Sequence, residues 1–155
     1  MKRAKKPMIL AGRLERIFAN LIDTLLLFVL LQVLLQLLGE TPVMLVTSFL
    51  TYAVYFTLST GSSWQASPAQ RLLSIYVVHA NGRPLSMADA LQRFLAYIIP
   101  SLPMQSSFLA PAIAMPLVVW LQLVWFLPIL VKEDRTGVHD MLCHTRVVAG
   151  KAPRR

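Results

Sequence analysis

Phe108-Leu-Ala-Pro-Ala-Ile-Ala-Met-Pro-Leu-Val-Val-Trp-Leu-Gln-Leu-Val-Trp-Phe-Leu-Pro-Ile-Leu-Val131 carries one conventional polar side chain, Gln122. A helix on the surface of a soluble domain keeps a polar stripe along one face. This segment has none. It also exceeds the roughly 20 apolar residues that cross a bilayer core. The chain is therefore read as a membrane protein, and the rest of the sequence agrees. Its 155 residues are 56% hydrophobic and 14% charged, against about 45–50% and about 25% in an ordinary soluble domain.

Two further strong apolar runs cover 17–38 and 43–58, and a weaker one covers 88–104. With 108–131 they predict an all-α membrane protein of four transmembrane helices in a single membrane domain, 1–155. The first run follows a basic segment, as a secretory signal does. However, it is too long, contains Asp23 and lacks a small-residue cleavage pattern, so it is read as a retained span.

Basic residues set the topology. Lys2, Arg3, Lys5, Lys6, Arg13 and Arg16 lie at the N-terminal side of the first run. Arg71, Arg83 and Arg93 lie in or just after the middle segment, and Lys132, Arg135, Arg146, Lys151, Arg154 and Arg155 follow the last run. Short segments rich in Lys and Arg stay cytoplasmic. Both termini, the loop 60–86 and the tail 132–155 are thus expected inside a bacterial inner membrane, which requires an even number of crossings. The Pro100–Ser107 stretch is the expected outer turn, and Ser86 the expected cap of the third helix. The alternative is three spans, with 88–104 lying in the inner interface and the C-terminus outside.

The cytoplasmic segments have a different character. Ser74-Ile-Tyr-Val-Val78 and Thr145-Arg-Val-Val148 are β-branched and favour strands. A short two-stranded β pairing is predicted between loop 72–79 and tail 144–149. Residues 65–73, opening near Ser67-Pro68, read as a short helix or turn leading into the first strand.

Asp23 is the most informative polar residue. A carboxylate inside a span costs about 2.5–3.5 kcal/mol on insertion scales and normally has a partner. Arg16, Asn20, Asp23 and Thr24 share one stripe of the first helix. Arg16 lies about 10 Å from Asp23 along the axis and leans away from it. The partner is therefore expected from elsewhere, with Arg93 and Arg71 as candidates. Functionally Asp23 would be an ion, proton or solute contact; structurally it would lock helices together.

His139, Asp140, Cys143 and His144 are metal-capable types at helical spacing. The pairs His139/Cys143 and Asp140/His144 occupy neighbouring faces, so a four-ligand site would need distortion or a second chain. The simpler reading is a polar helix end, with Asp140 holding a basic residue from 60–93. No metal or other cofactor is expected. No nucleophile elbow, zinc-protease motif, phosphate loop or spaced cysteine pair is present, so no enzyme is expected. The net charge of +8 is explained by span ends facing anionic headgroups. Without aromatic-interleaved basic runs, nucleic acid is not an expected partner.

Three blocks resemble the RDD family, small prokaryotic membrane proteins named for an arginine and two aspartates. They are Ala11-Gly-Arg-Leu-Glu-Arg-Ile-Phe-Ala-Asn-Leu-Ile-Asp23, then Ser67-Pro-Ala-Gln-Arg-Leu-Leu-Ser-Ile-Tyr-Val-Val78 with Gly82-Arg-Pro-Leu-Ser86 and Arg93, then Asp134-Arg-Thr-Gly-Val-His-Asp140 with Thr145-Arg-Val-Val148. The resemblance implies that Arg16, Asp23 and Asp140 are the family's characteristic set. It also implies a polytopic membrane protein for which transport of an ion or small solute is the usual suggestion. Ser67-Pro-Ala-Gln-Arg71 departs from the family's Thr-Pro-Gly-Lys-Arg-like run, so no lysine role carries over. Cys143 and His144 stand where the family usually has small residues. The resulting candidate set for an ion or solute site, or for a polar lock, is Arg16, Asn20, Asp23, Arg71, Arg93, His139 and Asp140. Four spans are few to enclose a path, so a homo-oligomer or another membrane subunit is the expected partner besides the bilayer. Small residues such as Ala19, Ala53 and Ala96 would permit close helix contact. Arg16-Ile-Phe-Ala-Asn-Leu-Ile-Asp23 also faintly echoes Arg93-Phe-Leu-Ala-Tyr-Ile-Ile-Pro100, a likeness that fits either chance, since only eight residues match loosely, or an internal duplication.

Overall fold

The computed structural model describes residues 8–39, 42–105 and 109–150. Helix α1 spans Arg13–Leu38 and α2 spans Pro42–Gly61. A short helix α3, Pro68–Leu72, leads into strand β1, Ile75–His79. Helix α4, Met87–Ile98, continues as a 3-10 helix over Ile99–Gln105. Helix α5, Pro111–Val131, then a short helix α6, Val138–Leu142, and strand β2, Thr145–Ala149, follow.

Among the described residues three helices are long and apolar enough to cross a membrane: Arg13–Leu38, Val43–Gly61 and Pro111–Val131. Their most apolar stretches are only 11%, 6% and 11% buried within the protein. Side chains such as Leu25, Val46 and Ile113 therefore face outward, an arrangement that suits hydrocarbon and not water.

The fourth segment differs from the sequence expectation. The continuous helix expected over 88–104 is α-helical only to Ile98, and Pro100 and Pro103 sit inside the 3-10 extension, not in a turn. Proline explains the change. Pro100 has no N–H for the Ala96 carbonyl four residues earlier, so the α pattern stops. The indole of Trp125 on α5 donates to that carbonyl at 3.1 Å. The backbone acceptor that proline frees is thus satisfied by a neighbouring helix. At about 1.5 Å per α-residue and about 2.0 Å per 3-10 residue, the two pieces together reach about 30 Å. The expected outer turn extends into 106–108, outside the described residues.

Helix α4 runs back along α2. A Cβ on Gly61 would meet Met87 Cα at 3.0 Å and Met87 Sδ at 2.6 Å. Farther along the same seam Phe94 stacks on Phe56 at 6.5 Å and tilts against Phe49 at 5.8 Å. The start of α1, the end of α2, the start of α4 and the end of α5 consequently meet at one end of the bundle.

A small cap closes that end. Strands β1 and β2 pair antiparallel, with Ile75 opposite Ala149 and Val77 opposite Val147. Residues before α1 add to the outer edge of β2 through Ala149 N–H to Ile9 O, 2.8 Å, and Ala11 N–H to Val147 O, 3.1 Å. Two strands alone are marginal. Here Ile75, Val77 and Val147 pack with Ala11, Ala19, Ala69 and Leu85 into one buried cluster resting on α1.

The cap is built twice. Gln65 and Arg135 have positive φ (52° and 51°), as do Ser74 and His144 (54° and 51°). Between each pair lies a five-residue helix with a β-region N-cap, Ser67 or Gly137, and after it a five-residue strand with the same burial pattern. Val77 and Val147 occupy equivalent places in the two units and face one another across the ladder, as a local two-fold axis requires. The two long helix starts match as well: Gly12 and Ser86 are N-caps whose N–H groups are met by Glu15 and Asp89. The likeness between 16–23 and 93–100 lies about one helical turn out of this backbone register.

Gly61 allows the close α2–α4 approach, so Gly61→Ala should lower thermal stability by an overpacking cost of about 1–3 kcal/mol. A melting temperature in detergent equal to that of the wild type would remove this account of the seam.

Candidate functional site

Asp140 enters the structure at the third position of α6, the site that meets the amides at its helix start. Gly137 N–H donates to its Oδ2 at 3.2 Å. Arg16 from α1 donates to the same oxygen. Arg93 from α4 donates to Oδ1 at 2.6 Å, and Thr145 Oγ1 lies 3.3 Å from that oxygen. The carboxylate is fully buried, with Arg16 and Arg93 nearly so. Both guanidiniums have further acceptors: Arg16 donates to the Arg135 carbonyl and Arg93 Nε to Thr145 Oγ1 at 3.3 Å. Burial opposes ionisation of Asp140. The His139 imidazole (cationic in the acid range where a carboxyl titrates), Arg93 and Arg16 outweigh it and hold the carboxyl well below its usual range.

Asp23 is held differently. Its Oδ1 accepts from Tyr55 Oη at 2.6 Å and from the Ala69 N–H at 3.2 Å, and its Oδ2 accepts from Ser67 Oγ. The expected arginine partner is replaced by the open end of α3: Ser67 is the N-cap of that helix and Ala69 supplies one of its free amides. A carboxylate at a helix start meets unpaired N–H groups and a favourable dipole, so no guanidinium is needed. Arg71, the other expected partner, instead lies over the Trp64 ring at 4.2 Å. Arg93, the remaining candidate, is committed to Asp140.

The structure thus separates the expected residues into two clusters. Arg16, Arg93, His139 and Asp140 form one and Asp23 the other, with Asn20 between them accepting from Tyr97 Oη at 2.6 Å. Sequence reasoning missed Tyr55, Ser67, Thr145 and Arg135. The Ser67-Pro68 pair was the available signal for Ser67, because a hydroxyl before an N1 proline marks a helix start. Arg135 gave no such signal; its guanidinium donates to Ala11 O at 2.9 Å and ties the tail to the segment before α1.

His139 packs against Tyr97 at 5.5 Å and Phe126 at 5.3 Å. Burial pushes its pKa down to about 4, against the pull of Asp140 and with help from Arg93 and Arg16. Burial also pushes the Cys143 thiol up, which disfavours the thiolate a metal would need. Among the described residues no three His, Cys, Asp or Glu side chains are grouped to hold a metal ion.

Beside both clusters lies a cavity of about 510 Å³. Arg16, Asn20, Asp23, Arg93 and His139 line its capped end, and apolar side chains of α5 from Val118 to Leu130 line much of the rest, with Gln122 among them. The lining residues come from all six described helices, with α3 contributing Gln70 alone and α6 His139 alone.

An apolar helical bundle, capped at one end by a small sheet and pinned there by buried Arg–Asp contacts, defines an integral membrane protein. The chain matches the RDD family over residues 10–144, and it belongs to that family. It is similar to the "Uncharacterized protein YxaI" of Bacillus subtilis (strain 168), 25% identical over 107 residues, covering 69% of this chain and 58% of that protein. The chain therefore spans little more than half the length of that relative. No solved structure matches.

Asp140→Asn leaves two buried guanidiniums without a counter-charge and should destabilise the fold by about 3–5 kcal/mol. Adding Arg16→Met should cost less than the sum of the two single effects. Strict additivity in thermal unfolding would show that the two groups are not coupled.

His139 supplies an acid sensitivity. An unfolded histidine takes up its proton near its ordinary value of 6.5, the folded one only near 4, so the unfolded state binds more protons between those values. Stability should be full above about pH 6.5 and fall as pH drops toward 4. His139→Gln should flatten that slope in melting temperatures recorded from pH 7 to 4.5; an unchanged slope would assign it elsewhere.

Proposed function

We propose that the Arg/Asp set is a structural lock and that the protein serves as a non-enzymatic membrane scaffold or accessory subunit. One observation carries this reading: both oxygens of Asp23 and both oxygens of Asp140 are already occupied by donors from the protein itself. A carboxylate that coordinates a passing cation keeps an oxygen open to it. In this reading the chain has four spans, the last-but-one made of α4 and its 3-10 extension, and the capped end faces the cytoplasm of a bacterial inner membrane. In support, every described Lys and Arg, from Arg13 to Arg146, lies at or near that end, which is the side that basic segments keep. The partner is a second copy or another membrane subunit, received on the outward apolar faces of the helices.

A second reading, transport of a small cation or solute, is favoured by the cavity that Asn20, Asp23 and Arg93 border. Proteoliposome flux separates the two. Under the lock reading, purified protein moves no proton or cation above empty vesicles, and Asp23→Asn lowers yield and melting temperature. Flux that Asp23→Asn abolishes at unchanged stability would overturn the lock and select transport. A reporter fused after Arg155 should be active only in the cytoplasm; periplasmic activity would remove the four-span arrangement.

A further inference from the structure

The two halves of the bundle are alike at the cap but not in the membrane. By the repeat, α1 corresponds to α4 with its 3-10 extension, and α2 to α5. The α2–α4 seam is closed: Gly61 lies against Met87 and Ala90, and Phe49 and Phe56 hold Phe94. The corresponding α5–α1 seam is open. The two helices scarcely touch, and the cavity of about 510 Å³ lies between them.

The shape and lining of this slot specify an occupant. Along α5 it runs from Val118 to Leu130, about 18 Å at 1.5 Å per residue, which is long for a compact solute. Its outer part is walled mainly by aliphatic side chains such as Val118, Val119 and Leu123, with Leu127 nearer the capped end. Its capped end presents Arg16 and Arg93, with Asn20 as a polar neighbour. Asp140, which balances those arginines, is fully buried behind them and forms no part of the wall. Asp23 does border the slot, but its oxygens are turned to Tyr55, Ser67 and Ala69. An apolar trough ending in guanidinium groups fits a molecule with a hydrocarbon tail and an anionic head.

We infer that the α1–α5 slot binds an anionic glycerophospholipid entering sideways from the bilayer, its phosphate at Arg16 and Arg93 and one acyl chain along α5. The bound lipid takes the place that the Phe94 seam fills in the other half. This goes beyond the scaffold reading and does not depend on it.

The test uses the full chain, delipidated in detergent, with matched phosphatidylglycerol and phosphatidylcholine. Phosphatidylglycerol should raise the melting temperature by several degrees at low molar ratio, and phosphatidylcholine should not. Leu123→Trp and Leu127→Trp, which fill the slot, should each remove that difference, whereas Leu50→Trp on an outward face of α2 should keep it. Equal stabilisation by both lipids overturns the inference, as does an anionic effect that survives both slot variants. An equal effect of inorganic phosphate would reassign the site to a free anion and overturn the lipid. If the variants fail to fold, a photoactivatable phosphatidylglycerol on the unmodified protein decides. Adducts at Ile17, Val119 or Leu123 support the slot, and adducts confined to other helix faces overturn it.

Discussion

A carboxylate buried to the last atom, Asp140, ties together parts of the chain that nothing else joins as firmly. One oxygen takes Arg16 from the first helix and the other takes Arg93 from the fourth. The carboxylate itself belongs to the tail and caps α6 through the Gly137 amide. Apolar contacts cannot do this work in a membrane, because lipid chains are as apolar as the helices and offer no penalty for separation. Buried charge can. Pulling the carboxylate away leaves both guanidiniums unpaired in a low-dielectric setting, at a cost of several kcal/mol. Such a lock contributes less to net stability than to choosing a single arrangement, since desolvation offsets much of the attraction. Its value is that α1, α4 and the tail meet in one geometry and not in several.

Asp23 does the same for the other cap unit with different chemistry. It sits where α3 begins and accepts from the hydroxyl and amide donors at that helix start and from Tyr55 of α2. Each short helix of the cap is thus met by a carboxylate: α6 by its own Asp140, α3 by Asp23 from a membrane helix. The equivalent of Asp140 in the first unit is Gln70, whose side chain accepts from the Ser67 N–H at 3.0 Å. A neutral amide in that place needs no guanidinium, so the charge is supplied from α1 instead. The repeat accordingly has one framework and two electrostatic solutions.

The apolar runs, the strand pair and the short helix before β1 were legible in the sequence because each follows from a local pattern: span length, β-branching, or a hydroxyl ahead of proline. Asp140 with a basic partner was legible for the same reason, as a carboxylate near the start of a polar helix within reach of an arginine-bearing segment. The partner of Asp23 was not. Pattern reasoning pairs a buried carboxylate with a cation, and it has no way to count the backbone amides that a five-residue helix leaves open. The end of α4 was misread for a related reason. Pro100 reads as a turn signal, although a proline inside a helical segment needs only some other donor for the carbonyl it orphans, and Trp125 supplies one from a helix distant in sequence.

The closed and open seams show what the lock leaves undecided. Fixing four helix ends at the cap determines where each helix begins its course but not how closely its far part approaches a neighbour. On the α2–α4 side Gly61 and three phenylalanines settle that distance. On the α1–α5 side the two helices scarcely touch, and the ring of Phe126 packs against Tyr97 and His139. A void lined by hydrocarbon next to lipid gains dispersion contacts whenever a chain enters it. The asymmetry between two similar halves is therefore a place where the bilayer can complete the packing, with the arginines that hold the cap together also defining the polar end of the gap.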